Sequence, residues 1–189
     1  MDVPPSDHHR DPFPGSRATQ DGVVYPLATW RARAGARLID LLVVALPGLL
    51  LAFVTSLAWV GTQMIFDGST RGLADRFPFF LAAVFFVLYT GYETFALSRW
   101  QQTIGKRQMG VKVAPVAGVG RLGRLRLPAA MVRSALFVLP VLLFMLPTFL
   151  WWSTVVVMAL LTGGMAAWNL PNHQGLHDKV AGTIVLDVS

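Results

Sequence analysis

Three side chains at the start of the first long apolar run raise a chemical question. In "RARAGARLIDLLVV", residues 31–44, Arg33, Arg37 and Asp40 are separated by four and three positions, so a helix carries them on one face within reach of one another. A carboxylate at the hydrocarbon boundary is costly alone, and a guanidinium one turn away can stabilise it by charge-assisted hydrogen bonds. Intramembrane carboxylates are usually functional, which makes Asp40 a candidate for taking up a cation or a proton, with Arg33 and Arg37 as charge partners. The alternative is an arginine cluster that only sets topology, beside an aspartate favoured by the helix N-terminus. Glu93, near the end of the second apolar run, is the other candidate carrier, unless a nearby arginine neutralises it.

Two further stretches carry polar groups at defined spacing. In "QQTIGKRQMG", residues 101–110, Gln102, Thr103, Gly105, Lys106 and Gly110 set amide, hydroxyl and small residues around a basic pair. Such a turn at the membrane interface either closes the chain or holds a phosphate or lipid headgroup; the glycine–lysine spacing is not that of a P-loop. In "HDK", Asp178 can accept hydrogen bonds from arginines such as Arg33, or from backbone N–H groups, joining the C-terminus to the first helix. His173 and His177 have the i, i+4 spacing of metal ligands, but Pro171 and Gly175 flank them and no third ligand accompanies them, so neither a metal nor a cofactor is expected. No nucleophile–base pair emerges either, and an enzyme is not expected.

The elements that must position these groups are membrane helices. Of 189 residues, 54% are hydrophobic and 14% charged. The longest uncharged runs are Leu41–Phe66, Phe77–Tyr92 and Ser134–Asn172. A membrane helix needs about 20 apolar residues. The last run, at 39 residues, is too long for one pass and must hold two, of roughly 128–146 and 149–169. Pro47 and Gly48 predict a kink in the first helix, residues 30–62. Trp151 and Trp152 are expected at the outer interface. Between Arg99 and Arg133 there are eight basic residues and no acidic one, which marks a cytoplasmic loop, whereas 67–76 carries two of each sign. Both termini are then cytoplasmic. Residues 1–28, with five prolines and no hydrophobic periodicity, read as a disordered cytoplasmic tail, and 29–189 as the membrane domain. The net charge of +6 follows the flanks of apolar runs rather than a base-stacking surface, so nucleic acid is not an expected partner. There is no cysteine to form a disulfide. Two alternating stretches, "GVKVAP" (110–115) and "TIVLDV" (183–188), read as strands that pair beneath the membrane. The expected fold is thus an all-α membrane protein of about four transmembrane helices with one short β-pair at the cytoplasmic face.

The opening stretch, "YETFALSRWQQTIGKRQMGVKV" (92–113) and "QGLHDKVAGTIVL" (174–186) together resemble the RDD family of bacterial membrane proteins, named for one arginine and two aspartates. The resemblance covers about residues 28–187. By position it assigns the arginine to Arg33 and the aspartates to Asp40 and Asp178, with Gln102, Thr103, Gly105, Lys106 and Gly110 as the turn motif; Gln101 stands where a glycine is usual. It implies a helical protein of the bacterial inner membrane and transport, since some members are linked to sodium/proton exchange. The expected function is a transporter or ion carrier with Asp40 and Glu93 as its carboxylates. The alternative is an accessory or assembly subunit of a larger membrane complex. Four helices are few for a solitary carrier, so both readings expect a homo-oligomer or a larger complex in the lipid bilayer.

Overall fold

A computed structural model describes residues 17–18, 24–67, 73–116, 125–145, 147–168 and 173–189. Apart from a short pair of two-residue strands, β1 (Arg17–Ala18) and β2 (Val24–Tyr25), the described chain is mostly helical. Most of the expected tail, the tip of the loop at 67–76 and the "NLPN" stop at 169–172 lie outside the described residues.

Helix α1 spans Trp30–Asp67 and α2 spans Leu73–Trp100. Both are long and apolar enough to cross a membrane, over 30–66 and 77–100. Thr29 caps α1 as its type predicts, its Oγ1 accepting from the Ala32 N–H at 3.3 Å. The helix runs unbroken through Pro47. Its buried positions Ala36, Asp40, Val44, Ala52 and Ser56 fall on an i, i+4 ridge. The small side chains on that ridge let α2 pack closely against it. Tyr89, Glu93 and Leu97 are the fully buried residues of α2, again four apart.

After α2 come the short helix α3 (Ile104–Gln108) and strand β3 (Val111–Pro115). Helix α4 (Leu127–Val138) starts with Pro128 in its first turn, where a missing N–H costs nothing. The pass expected over 128–146 leaves α-geometry at Val138 and continues as a 3-10 turn, Leu139–Met145. Pro140 explains the change, because proline cannot donate within a helix interior. The Pro140 carbonyl accepts from Trp151 Nε1 at 3.1 Å, so one indole expected at the outer interface is spent on this break. Helix α5 (Thr148–Ala159) passes through a π-turn (Leu160–Gly164) into α6 (Met165–Trp168).

The chain ends with α7 (Leu176–Ala181) and β4 (Thr183–Asp187). The two alternating stretches pair as read: β3 and β4 are antiparallel, from Val111 opposite Asp187 to Pro115 opposite Thr183. On the other edge of β4, the Asp187 N–H donates to Pro26 and the Ala28 N–H to Val185, and Leu27 bridges Leu186. The chain therefore joins the sheet from Pro26, a few residues before the expected boundary at 29. A cluster of Ala36, Leu97, Val111, Val113, Ala130 and Val185 seals the sheet against α1, α2 and α4.

Candidate functional site

The sheet and five helices enclose a buried ionic core. Asp40 is fully buried on the α1 ridge, and its partners come from α2 and the turn after it. Thr103 Oγ1 donates to Oδ2 at 2.6 Å, the Gly105 N–H to Oδ1 at 2.8 Å, and Tyr92 Oη to Oδ1 at 2.9 Å. Lys106 Nζ stands 3.5 Å from Oδ2. The turn that looked suited to a phosphate is thus wrapped around the protein's own carboxylate. Thr103 also caps α3 through the Lys106 N–H. Gly105 is required there by space: a Cβ would land on the Ala36 carbonyl oxygen of α1. Gln101, at the position where the resemblance expects glycine, has φ 60°, a left-handed backbone that glycine adopts without strain. Gly110 has φ 63° and closes the turn into β3.

The expected pairing of Asp40 with Arg33 and Arg37 is not what forms. Arg37 crosses to α2, where Nη1 donates to both oxygens of Glu93 at 2.6 Å and to Tyr89 Oη at 2.8 Å, while its guanidinium carbon lies 4.0 Å from the Phe137 ring centre. Arg33 spends its donors on carbonyls: Ala28 at 3.0 Å, Val185 at 3.3 Å and His173. Helical spacing brings side chains to one face, but donors delivered by α2 and α3 outbid those on the same helix. Arg33 ties the N-terminal segment, the 173 turn and β4 to α1.

Asp178 is the other anchor. Arg133 Nη1 donates to its Oδ1 and also to Thr183 Oγ1, the latter at 2.8 Å; the Gly175 N–H donates to Oδ2 at 3.3 Å. Arg33 Nη1 is 3.9 Å away, a secondary partner to Arg133. Lys106 Nζ lies 2.9 Å from Glu93 Oε1, and Arg133 Nε lies 3.9 Å from the same oxygen. One continuous chain of charges therefore runs from Asp40 through Lys106, Glu93 and Arg133 to Asp178 and Arg33. It joins α1, α2, α3, α4 and α7.

Burial and neighbours set the protonation of the groups outside the long helices. Burial, reinforced by the Arg37 charge, lowers the Lys106 ammonium to about 8 despite Glu93 and Asp40. Burial lowers His177 to about 3, so its ring is neutral at physiological pH. Burial alone would raise Asp178, but the surrounding cations, led by Arg133, hold it down at about 2. Among the described residues no group of three or more His, Cys, Asp or Glu side chains has the arrangement of a metal site.

The RDD family model matches residues 27–182, most of the chain and all of the ionic core except its last strand residues. The chain belongs to the RDD family. No curated protein and no solved structure gives a match. In this RDD chain, Arg33, Asp40 and Asp178, the residues singled out by the resemblance, belong to one connected network, although no two of them form its shortest contacts. Membership and the apolar helices identify a membrane-type protein.

Three members of the core were missed from sequence. Tyr89 and Tyr92 gave no signal, because tyrosines on an apolar helix read as packing or interface residues. Arg133 gives one: it is the last charge before the 39-residue uncharged run, as Asp40 is the last before the first run, although within an all-basic stretch it reads as a loop charge. An ionisable residue six positions inside a helix that starts at Leu127 is a site candidate by default.

Proposed function

We propose that this RDD protein works in the bacterial inner membrane as a non-enzymatic accessory or assembly subunit, with its ionic core as a permanent brace rather than a cation-carrying site. One observation carries this reading: Asp40, Glu93 and Asp178 are each already held by two or more donors, so a sodium ion or proton would have to displace cations from a buried network. The state of α5 supports the partner half of the reading, since none of its residues is buried within the chain. The proposed topology is four passes with both termini cytoplasmic. Leu127–Met145 and Thr148–Trp168 are each about 30 Å long by helical rise, enough to cross the hydrocarbon. Cysteines placed singly at Ser69 and Ser189 of this cysteine-free chain should label from opposite sides of the membrane, and labelling from one side would reject the topology.

Affinity purification in a mild detergent after crosslinking in the native membrane should yield an unrelated membrane protein at fixed stoichiometry. Self-association alone, together with cation-driven flux above that of empty liposomes, would overturn the reading. Transport is the second reading, and the observation that favours it is Lys106, a buried ammonium held at about 8 between two carboxylates. Asp40→Asn separates the two. It keeps one carbonyl oxygen, able to accept from the Gly105 N–H, but puts an NH2 donor in place of the oxygen that accepts from Thr103 Oγ1 and removes the charge facing Lys106, and as a brace it should cost about 1–3 kcal/mol of stability. A carrier would lose flux in proteoliposomes at matched incorporation while its melting temperature stayed near wild type.

A further inference from the structure

A cavity of about 340 Å³ lies against the ionic core, between α1, α4, the π-turn and α7. Its two sides differ in chemistry. One is lined by Arg37, Lys106, Arg133 and His177, and the other by Trp30, Leu38, Ala159 and Gly163. Trp30 and Leu38 on the apolar side are more than half exposed, at 56% and 61%, so the cavity opens towards the lipid-facing surface of α1.

The polar side is incompletely satisfied. Arg37 Nη2, Arg133 Nε and His177 Nδ1 are buried and have no hydrogen-bond partner, and all three residues line the cavity. Buried polar atoms without a partner are rare, and each requires a reason. The charges point the same way. The core contains four cations, Arg33, Arg37, Lys106 and Arg133, against three carboxylates, Asp40, Glu93 and Asp178, which leaves one positive charge in excess with Lys106 protonated. An uncompensated buried cation is expensive, and one bound anion would cancel it. A cation has nothing to bind, because the carboxylates are taken.

We propose that this cavity is a binding site for a singly charged anionic amphiphile: a phosphodiester or carboxylate head against Arg37, Arg133 and His177, with its apolar chain leaving past Trp30 and Leu38 along α1. The volume suits a headgroup and the first carbons of a chain, and lies at the small end of the range for ligand pockets. The π-turn forms part of the wall through Thr162 and Gly163. Such single-turn π-insertions often occur at functional sites. This inference does not depend on the accessory-subunit reading, since every lining residue belongs to the chain itself.

Thermal unfolding of the full chain, stripped of lipid in a neutral detergent, provides the test. Micellar phosphatidylglycerol should raise the melting temperature saturably by about 5 °C or more, whereas phosphatidylcholine and inorganic phosphate at matched ionic strength should not. Native mass spectrometry should show one anionic lipid retained per chain. Equal shifts from both lipids, or no shift from phosphatidylglycerol, would overturn the proposal; a shift from inorganic phosphate alone would assign the site to a free oxyanion and overturn the amphiphile. Gly163→Leu checks that the effect comes from this cavity, since a Cβ there meets only Trp30 Nε1, at 4.0 Å. The variant fills the apolar side without touching a charge, and it should abolish the lipid shift. Ala159→Phe repeats the block from the neighbouring wall should the first variant fail to fold. A full lipid shift in a folded blocked variant would refute the assignment.

Discussion

The two ends of the bundle are built on opposite rules. At the end that holds the sheet, seven ionisable side chains, two tyrosines and the turn at 102–106 interlock, and glycine is needed where α3 meets α1. Beyond Pro47, α1 exposes Leu49, Leu50, Phe53, Val54 and Leu57, and no residue of α5 is fully buried. A hydrocarbon solvent accounts for the contrast. Apolar side chains gain little by leaving lipid for one another, so the far half has weak reason to pack, while each charge or polar group left unpaired at the near end carries a cost. Specificity of this fold is concentrated where its chemistry is.

The largest expected effect follows from removing Arg133. Arg133→Met deprives Asp178 of its main cation and Glu93 of a secondary one, and breaking a buried pair from one side costs about 3–5 kcal/mol. Unfolding in detergent should show this loss. Arg133→Met combined with Asp178→Asn should cost less than the sum of the two single changes, because the pair acts as a unit. Additive losses would show that the core is a set of independent contacts.

Two glycines on α1 and α3 sharpen the comparison. Gly105→Ala puts a methyl against the Ala36 carbonyl, pries the turn from Asp40 and should cost about 1–3 kcal/mol. Gly61→Ala, in the far half of α1, meets nothing within 4 Å. There the better helix propensity of alanine should leave stability unchanged or raised by up to about 1 kcal/mol. Equal losses at both sites would erase the distinction between the two ends.

Much of the near end was legible from residue types, but its pairing was not. Alternation in 110–115 and 183–188 gave the strand pair, and an ion beside an apolar run marked Asp40 and Glu93, because these signals are local. Which cation meets which carboxylate depends on where α2, α3 and α4 bring their donors. Arg37 could not be directed to Glu93, nor Arg133 to Asp178, from spacing along one helix. The 3-10 turn was half visible: Pro140 removes a helix-interior donor, but only the tertiary donor from Trp151 shows how the break is accommodated.

Acid should act on the near end through His177 and Asp178. His177 is held at about 3 against an ordinary 6.5, so the unfolded chain takes up a proton that the folded ring refuses. Its contribution is complete above pH 6.5 and declines as pH falls from there towards 3. Asp178, at about 2 against 3.8, acts in the same direction over a lower window, complete above 3.8 and lost as pH falls through 2. Melting temperatures of wild type should therefore begin to drop just below pH 6.5. His177→Gln should delay that part of the drop to about pH 4, and an unchanged pH profile would show that the ring titrates as freely in the folded protein as outside it.

The smallest effect on stability is expected at Phe149, and it is where the far end can be shown to do something other than meet lipid. This side chain is 79% exposed on α5, and exposed substitutions away from special features usually change stability by no more than about 0.5 kcal/mol. Phe149→Ala should therefore melt like wild type. The two accounts of α5 diverge in the membrane. If α5 faces only lipid, crosslinking and co-purification are untouched by the change, because one acyl contact replaces another. If α5 docks against a second membrane protein, loss of a large aromatic from a flat apolar helix removes the kind of side chain that dominates such contacts, and the co-purified partner should fall away while the fold persists. Scanning Phe149, Trp152 and Val156, which lie on one face at three- and four-residue spacing, would show whether the loss follows a helical stripe. A stripe would make the loosely packed end an interface by design, whereas wild-type co-purification throughout the scan would leave it to the lipid and move the search for a partner surface to the exposed leucines of α1.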